Sequence, residues 1–549
     1  MNVYESTAPR GGGGAAAALL IAVVAVAGLF TRPLLAIDET RYAAVALEML
    51  QRGDWLVPHL NGAPYSHKPP LLFWLVILGW KVGGVNALWV RLVGPICSVV
   101  AVWLVSSLAR ALWPHDARTR GWAPVITCSA LLWASFGALF MFDALLACCA
   151  LLALLGVVHG VEYDRKRSVV YVALGIALGI LAKGPVIVIH VLPAALLAPW
   201  WATPRPDRKW LGWYLRMTAG VLVGAGLALL WAIPAGAAGG AEYQQAIFLG
   251  QTTGRMTKSF AHRRPFWWYV PLLPVLLFPW FFWTESWLAL RALRAAPRET
   301  GVRFCLVWGG ASLIIFSLVS GKQVHYLLPL IPAAALLLAR GLGQREAAPL
   351  RRPWLVALML LLFAASVIVA GTTTLAETVV WWPHDSFDWW WALLPVGAAV
   401  MLVVWQRGWI TRNAAIHALA VSTAVMLCAA QLAVGRAGTV PYDTAPMAAA
   451  VQRAMHDGHP IAMIGTYEGE YHFEGRLLLN AHIDVITPEV AAAWMRAHAS
   501  GLLLQYHRGH APPTPDGLVA RHPFRSGWAT LSTGLPVLRA SDDTTARTE

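Results

Sequence analysis

The sequence predicts an all-α polytopic membrane protein with a small α/β domain at its C-terminal end. Two observations carry this. Of the 549 residues, 58% are hydrophobic and only 13% charged, with a mean hydropathy of +0.57. Apolar runs long enough for a helix to cross a bilayer recur as far as residue 433, and beyond residue 437 the pattern turns polar. A soluble core cannot hide so much apolar surface, whereas a helix of about 20 apolar residues satisfies its own backbone hydrogen bonds in lipid.

Taken in order, the spans are expected near 14–35, 86–112, 121–139, 142–161, 168–182, 185–202, 213–237, 266–289, 303–320, 324–342, 353–373, 391–406 and 412–433. That is about 13 transmembrane helices by hydropathy. The first run is followed by Asp38-Glu39 and no small-residue cleavage site, so it reads as a retained helix. ETRYAAVALEMLQRG has apolar positions at helical spacing, and LLFWLVILGWKVGG is apolar but short. Both are expected as helices lying in the outer interface.

Alternate connections are basic: Arg118 and Arg120, Arg165 to Arg167, Arg205 to Lys209, Arg291 to Arg298, Arg345 to Arg352, and Arg407 to Arg412. The positive-inside rule puts these in the cytoplasm, together with the N-terminus. The tail from about 438 is then outside. It alternates strand-like runs (IAMIGTY, RLLLNA, GLLLQY) with the helix-like TPEVAAAWMRAHA, and ends in a disordered SDDTTARTE. The expected division is a membrane domain over 1–437 and a soluble α/β domain over 438–549.

The formal net charge of +14 is spread over short loops, which suits membrane orientation and anionic lipid and not nucleic acid. The six cysteines lie in apolar runs without metal-ligand spacing and read as packing residues. No repeated halves are visible, and the ionisable residues gather at one face, which weighs against a transporter or lipid flippase.

With sidedness assigned, Asp38, Glu39, Tyr42, Tyr65, His67, Lys68, Asp143, Lys183, Arg255, His262, Lys322, His325 and Tyr326 all fall on the outer side. Charges so close to hydrocarbon are costly and mark function unless they snorkel. Asp143, inside LFMFDALLACC, gains little by snorkelling. Three lysines, in HKPP, AKGP and SGKQ, are each expected at a helix start on this face, where an ammonium suits a phosphate. The tyrosines read equally well as pocket lining or as interfacial aromatics, and the Trp-rich segment 381–391 reads as belt.

The order DETRYA, GDWLVPHLNGAPYSHKPPLLFW, a lone Asp opening a span, LAKGP, HRRPFWWY and SGKQVHYLLPLIPA resembles the protein mannosyltransferase superfamily of GT-C glycosyltransferases, in particular the ArnT-type lipid A aminoarabinose transferases. The resemblance covers about 14–433 and implies the GT-C fold. It also implies a multi-pass enzyme of the bacterial inner membrane, acting at the periplasmic face. Such an enzyme takes a sugar from undecaprenyl phosphate and transfers it, with inversion, to a lipid A phosphate or another lipid-linked acceptor. Aminoarabinose on lipid A masks negative charge and protects against polymyxin; hexosamine, uronic acid or mannose, and another envelope glycan or protein as acceptor, stay open.

Carried over by motif, the resemblance gives catalytic roles to Asp38 and Asp143, with Glu39 beside them. It gives carrier-lipid or phosphate contacts to Lys68, Tyr42, Tyr65 and Tyr326, to which Arg255, Lys183 and Lys322 are added as outer-face cations. His262 matches a histidine that helps to hold zinc. The residue before the KPP lysine, usually Glu, is here His67, so a zinc site would rest on His67 and His262. A monomer among membrane lipids is expected.

Overall fold

The computed structural model describes residues 12–164, 166–248, 263–295, 297–345, 347–372, 388–404, 411–509, 511–512, 514 and 517–533. Among the described residues, nine helical stretches are long and apolar enough to cross a membrane, and large apolar side chains such as Leu19, Phe30, Leu222, Leu230 and Leu318 stand exposed along them. The chain is a multi-pass membrane protein.

The helices in chain order are α1 (Gly12–Thr31), α2 (Asp38–Arg52), α3 (Leu71–Gly83), α4 (Ala87–Leu112), α5 (Ala117–Ser129), α6 (Leu131–Phe136), α7 (Phe142–Glu162) and α8 (Ser168–Lys183). They continue as α9 (Ile187–Leu196), α10 (Ala198–Trp201), α11 (Trp210–Gly239), α12 (Ala241–Gln245), α13 (Leu273–Leu276), α14 (Thr284–Ala292), α15 (Thr300–Leu318), α16 (Ile331–Gln344), α17 (Trp354–Thr372), α18 (Leu393–Val404) and α19 (Arg412–Gly438).

Each expected span has a helical counterpart, but several are broken. The span at 121–139 divides at Ala130, which is extended; the freed Leu131 N–H donates to the Phe278 carbonyl (2.9 Å). The span at 266–289 is a series of short helical turns, because Pro271, Pro274 and Pro279 each remove a backbone donor. Those irregular stretches are tolerated where protein covers them. Helices α8 and α9 run in opposite directions after Gly184 (φ 78°): Lys183 meets Asp143 at the start of α7, while Thr203, just past α10, meets Glu162 at its end.

The two ends of the bundle differ sharply in chemistry. At one end the basic connections are neutralised by one buried and two partly buried acids. Glu285 holds Arg345 Nε (2.9 Å) and Arg412 Nη2 (2.8 Å), and Arg340 bridges Asp116 (2.7 Å) and Glu299 (2.8 Å). The other end carries the acid and lysine constellation.

The C-terminal region has helix α20 (Ala445–His456), strands β3 (Ile461–Ile464) and β4 (Ile483–Ile486), helix α21 (Pro488–Ala497), and strands β5 (Leu502–Arg508), β6 (Leu518–Phe524) and β7 (Gly527–Ser532); β1 (His59–Leu60) and β2 (Ala63–Pro64) form a hairpin in the first loop. The sheet order is β4-β3-β5-β7-β6, parallel for β4-β3-β5 and antiparallel thereafter. The expected strand RLLLNA is instead a turn: Arg476 sits at φ 47°, Leu477 packs inward, and Leu478 and Leu479 are exposed. The SDDTTARTE end lies outside the described residues, as do residues 381–387 of the Trp-rich segment.

The two first-loop helices exist, but α2 does not lie bare on an interface. Ten of its 15 residues are buried, with the C-terminal region packed over it. Gln51 donates to the Leu477 carbonyl (3.0 Å), Asn61 exchanges two hydrogen bonds with Ile483, and Trp80 of α3 stacks on Phe473 at 5.5 Å.

Candidate active site

Helix α2 begins at Asp38 and Glu39, acids in the first turn where the helix dipole favours them, and ends at Gly53 in the left-handed conformation. These adjacent carboxylates point to different tasks. Asp38 is about half exposed (53%) and accepts from Arg41 Nη2 (2.5 Å) and the Tyr42 hydroxyl (3.3 Å). Burial, then the charge of Asp38, pushes the Tyr42 phenol well above its usual range, so the hydroxyl keeps the proton it donates.

Glu39 is buried. It accepts from Arg32 Nη1 (2.5 Å), from Leu35 N (2.8 Å) and from Phe140 N (2.7 Å). It fastens the end of α1, the first loop and the 137–141 loop together. That loop comes close because Gly94 of α4 has no side chain; a Cβ there would lie 2.1 Å from the Leu139 carbonyl oxygen.

Asp143 opens α7 and is 2% exposed. Lys183 ends α8 and reaches it at 2.6 Å, with His325 Nε2 at 3.9 Å. Lys183 is therefore at a helix end, not at the expected helix start; a cation there complements the dipole and the carboxylate of the neighbouring helix. Its ammonium also stands 4.9 Å from the centre of the Tyr326 ring.

A wall of aromatic rings joins the two aspartates. Tyr42 packs edge-on to Phe142 (4.9 Å), and the Lys68 ammonium stands 5.5 Å from the centre of the same Phe142 ring. Tyr65 is buried beside Phe73 and stacks obliquely on His67 (5.1 Å). The structure thus brings Asp38, Tyr42, Lys68, Asp143, Lys183, His325 and Tyr326 to one end of the bundle, with Lys68 in Coulombic reach of Asp143.

Lys322 is buried differently. It donates to the carbonyls of Arg264 (3.1 Å) and Val319, so it pins two backbone segments. Arg255 and His262 lie outside the described residues. Among the described residues no group of three His, Cys, Asp or Glu is placed to hold a metal.

Two members of the site escaped the sequence reading. Arg41, three residues after Asp38 on the same helix face, was signalled by that spacing. Its second nitrogen, Nη1, donates to Glu468 of the C-terminal region (2.7 Å). Burial opposes the Arg41 charge, but Tyr65, Tyr42, Glu468 and Asp38 outweigh it and hold the group above the usual arginine value. Nothing in the sequence pairs residues 427 positions apart.

Residues 67–234 match the family described as dolichyl-phosphate-mannose-protein mannosyltransferase. A curated relative from Pseudomonas aeruginosa, named undecaprenyl phosphate-alpha-4-amino-4-deoxy-L-arabinose arabinosyl transferase, is 34% identical over 320 residues, covering 56% of this chain and 55% of that protein. One of the same name from Pectobacterium carotovorum is 34% identical over 319 residues, with the same coverage. The match thus spans about half the length of these curated relatives. The crystal structure of ArnT from Cupriavidus metallidurans bound to undecaprenyl phosphate superposes with a TM-score of 0.71 at 18% identity, covering 95% of this chain and 98% of that one. Its apo state gives 0.73 at 19% identity, covering 94% and 97%. The chain has the ArnT-type GT-C fold.

Proposed function

We propose that this protein transfers 4-amino-4-deoxy-L-arabinose from undecaprenyl phosphate to a phosphate of lipid A, with inversion at the anomeric carbon. The transfer would occur at the periplasmic face of the bacterial inner membrane and confer resistance to polymyxin. The curated relatives are named for the donor half of this reaction. One observation carries the reading: two aspartates of different character, Asp38 open and Asp143 sealed in an ion pair, flank Lys68 at the acidic and aromatic end of the bundle. The basic end would then face the cytoplasm by the positive-inside rule.

In this reading the carrier phosphate leaves as the anomeric bond breaks, and Lys68 stabilises the charge that develops on it. Tyr42, Tyr65 and Tyr326 line the same wall. Asp38, steadied by Tyr42 and Arg41, faces the sugar and orients the acceptor. A lipid A phosphate is already ionised near neutral pH and needs little general base, whereas a hydroxyl acceptor would make Asp38 the base. Asp143 and Lys183 keep a fixed, mutually neutralised pair behind the reacting centre. Glu39 serves by position, through the loops it fastens. The protein is taken to work as a monomer.

The test is transfer in nanodiscs by purified protein, with undecaprenyl phosphate carrying aminoarabinose, hexosamine or mannose, and lipid A as acceptor. Product from aminoarabinose alone supports the reading; product only from another sugar replaces the donor, and none from any donor sinks the enzyme. Repeating the assay with a chelator, and with His67→Ala, decides whether zinc at His67 and His262 belongs to it.

A further inference from the structure

The soluble domain touches the site at one charged point. Arg41 holds Asp38 Oδ1 with Nη2 (2.5 Å) and Glu468 Oε2 with Nη1 (2.7 Å), so one planar guanidinium spans the open aspartate of the membrane domain and an acid of the C-terminal domain. Glu468 is itself set by its backbone: its N–H donates to the buried carboxyl of Glu470 (2.9 Å). The segment bearing both acids is seated tightly. Gly469 (φ 77°) lies so close to Leu60 that a Cβ there would come within 2.4 Å of Leu60 Cδ1, and Tyr467 is bonded to His472 (2.8 Å).

Arg41 divides its two terminal nitrogens between the two carboxylates and closes bidentately on neither. With Glu468 in place, Arg41 grips Asp38 through a single nitrogen on a single oxygen, and Asp38 Oδ2 is left to the substrate side. Without Glu468, Arg41 is free to turn both nitrogens onto Asp38 and draw the whole carboxylate away. We propose that Glu468 is a positioning residue for transfer: acting through Arg41, it keeps Asp38 oriented, so the C-terminal domain completes the active site of the membrane domain. The proposal rests on the transferase reading above.

The experiment uses the full chain in nanodiscs, with aminoarabinosyl undecaprenyl phosphate and lipid A. Glu468→Gln keeps the size and an acceptor oxygen but loses the charge. It is expected to lower kcat about tenfold or more, with KM for both lipids within about twofold and an unchanged melting temperature, since misorientation of about 1 Å at a reacting group costs this much or more. Arg41→Lys removes the two-pronged bridge. If Glu468 acts through Arg41, the double variant is no slower than Arg41→Lys alone; independent structural roles would multiply. Full activity in Glu468→Gln, or multiplying losses in the double variant, overturns the proposal and leaves the transferase reading intact. A wild type that transfers no sugar from any polyprenyl phosphate sinks both.

Discussion

Lys183 Nζ lies 2.6 Å from Asp143 Oδ1, with both side chains almost fully buried and each supplied by the end of a different helix. The pair locks the start of α7 to the end of α8 at the depth of the site. Because the aspartate is buried, its charge is tolerable only with cationic neighbours, of which Lys183 is the nearest, ahead of His325 and Lys68.

Lys183→Met is therefore expected to destabilise the protein by about 3–5 kcal/mol, because it takes from a buried carboxylate its nearest cation and its hydrogen-bond donor. The double variant Lys183→Met/Asp143→Asn recovers part of that loss, since a neutral amide costs less to bury than an unpaired charge. Melting curves in detergent check both. A single variant that melts with the wild type would show that the pair does not hold the two helices.

The adjacent acids of α2 separate function from folding. Asp38→Asn is expected to abolish transfer while the melting temperature stays with the wild type, because the side chain is half exposed. Glu39→Ala should do the reverse in order of severity, removing the acceptor for Arg32, Leu35 N and Phe140 N and costing about 3–5 kcal/mol of stability before any effect on turnover per folded molecule. Measuring both quantities on both variants checks the assignment. Wild-type activity in Asp38→Asn would refute it.

The membrane domain was legible because a bilayer imposes one rule on every crossing: about 20 apolar residues with internally satisfied backbone. Averaged hydropathy blurs a break: it does not resolve the division at Ala130, and it runs through the prolines at 271, 274 and 279 as one span. In the site, Asp38, Lys68 and Asp143 stood out as ionisable groups beside apolar runs. Asp38 and Glu39 look alike in sequence, and only the fold shows that one faces the open wall and the other a loop. Strands β6 and β7 and helix α20 carried weaker patterns, and RLLLNA carried a misleading one; a turn at Arg476 decides its shape. Glu468 was out of reach because its partner lies 427 positions away and is fixed by how the C-terminal region packs on α2.

The buried acid at the basic end provides a test of stability without chemistry. Glu285 is fully buried and accepts from Arg345, Arg412 and Arg351 N, tying α14 to α19 and to the chain following α16. Glu285→Ala leaves the nearly buried Arg412 without its acid and should cost about 3–5 kcal/mol. Turnover per folded molecule is expected to stay at the wild-type level, since the site is at the opposite end. A large loss of turnover at an unchanged melting temperature would contradict the division of the two ends.

Glu470 gives the domain junction a pH dependence with a definite sign. Burial pushes its carboxyl up to about 7, with the nearby Glu468 charge adding to this and backbone donors and Arg41 opposing it; Tyr467, Tyr471 and Tyr506 are titratable neighbours. The folded state therefore holds a proton that the unfolded chain has already released above its ordinary value near 4.5. Between about pH 4.5 and 7 the native state binds more protons, so this group's contribution falls as pH rises and is fully unfavourable above 7. Glu470→Gln removes the ionisation. The variant should be more stable than wild type above pH 7, by an amount on the order of 3 kcal/mol, and should converge with it as pH falls towards 4.5. Melting temperatures of both proteins from pH 4.5 to 8.5 test this, and a difference that widens towards acid would reverse the sign and refute it.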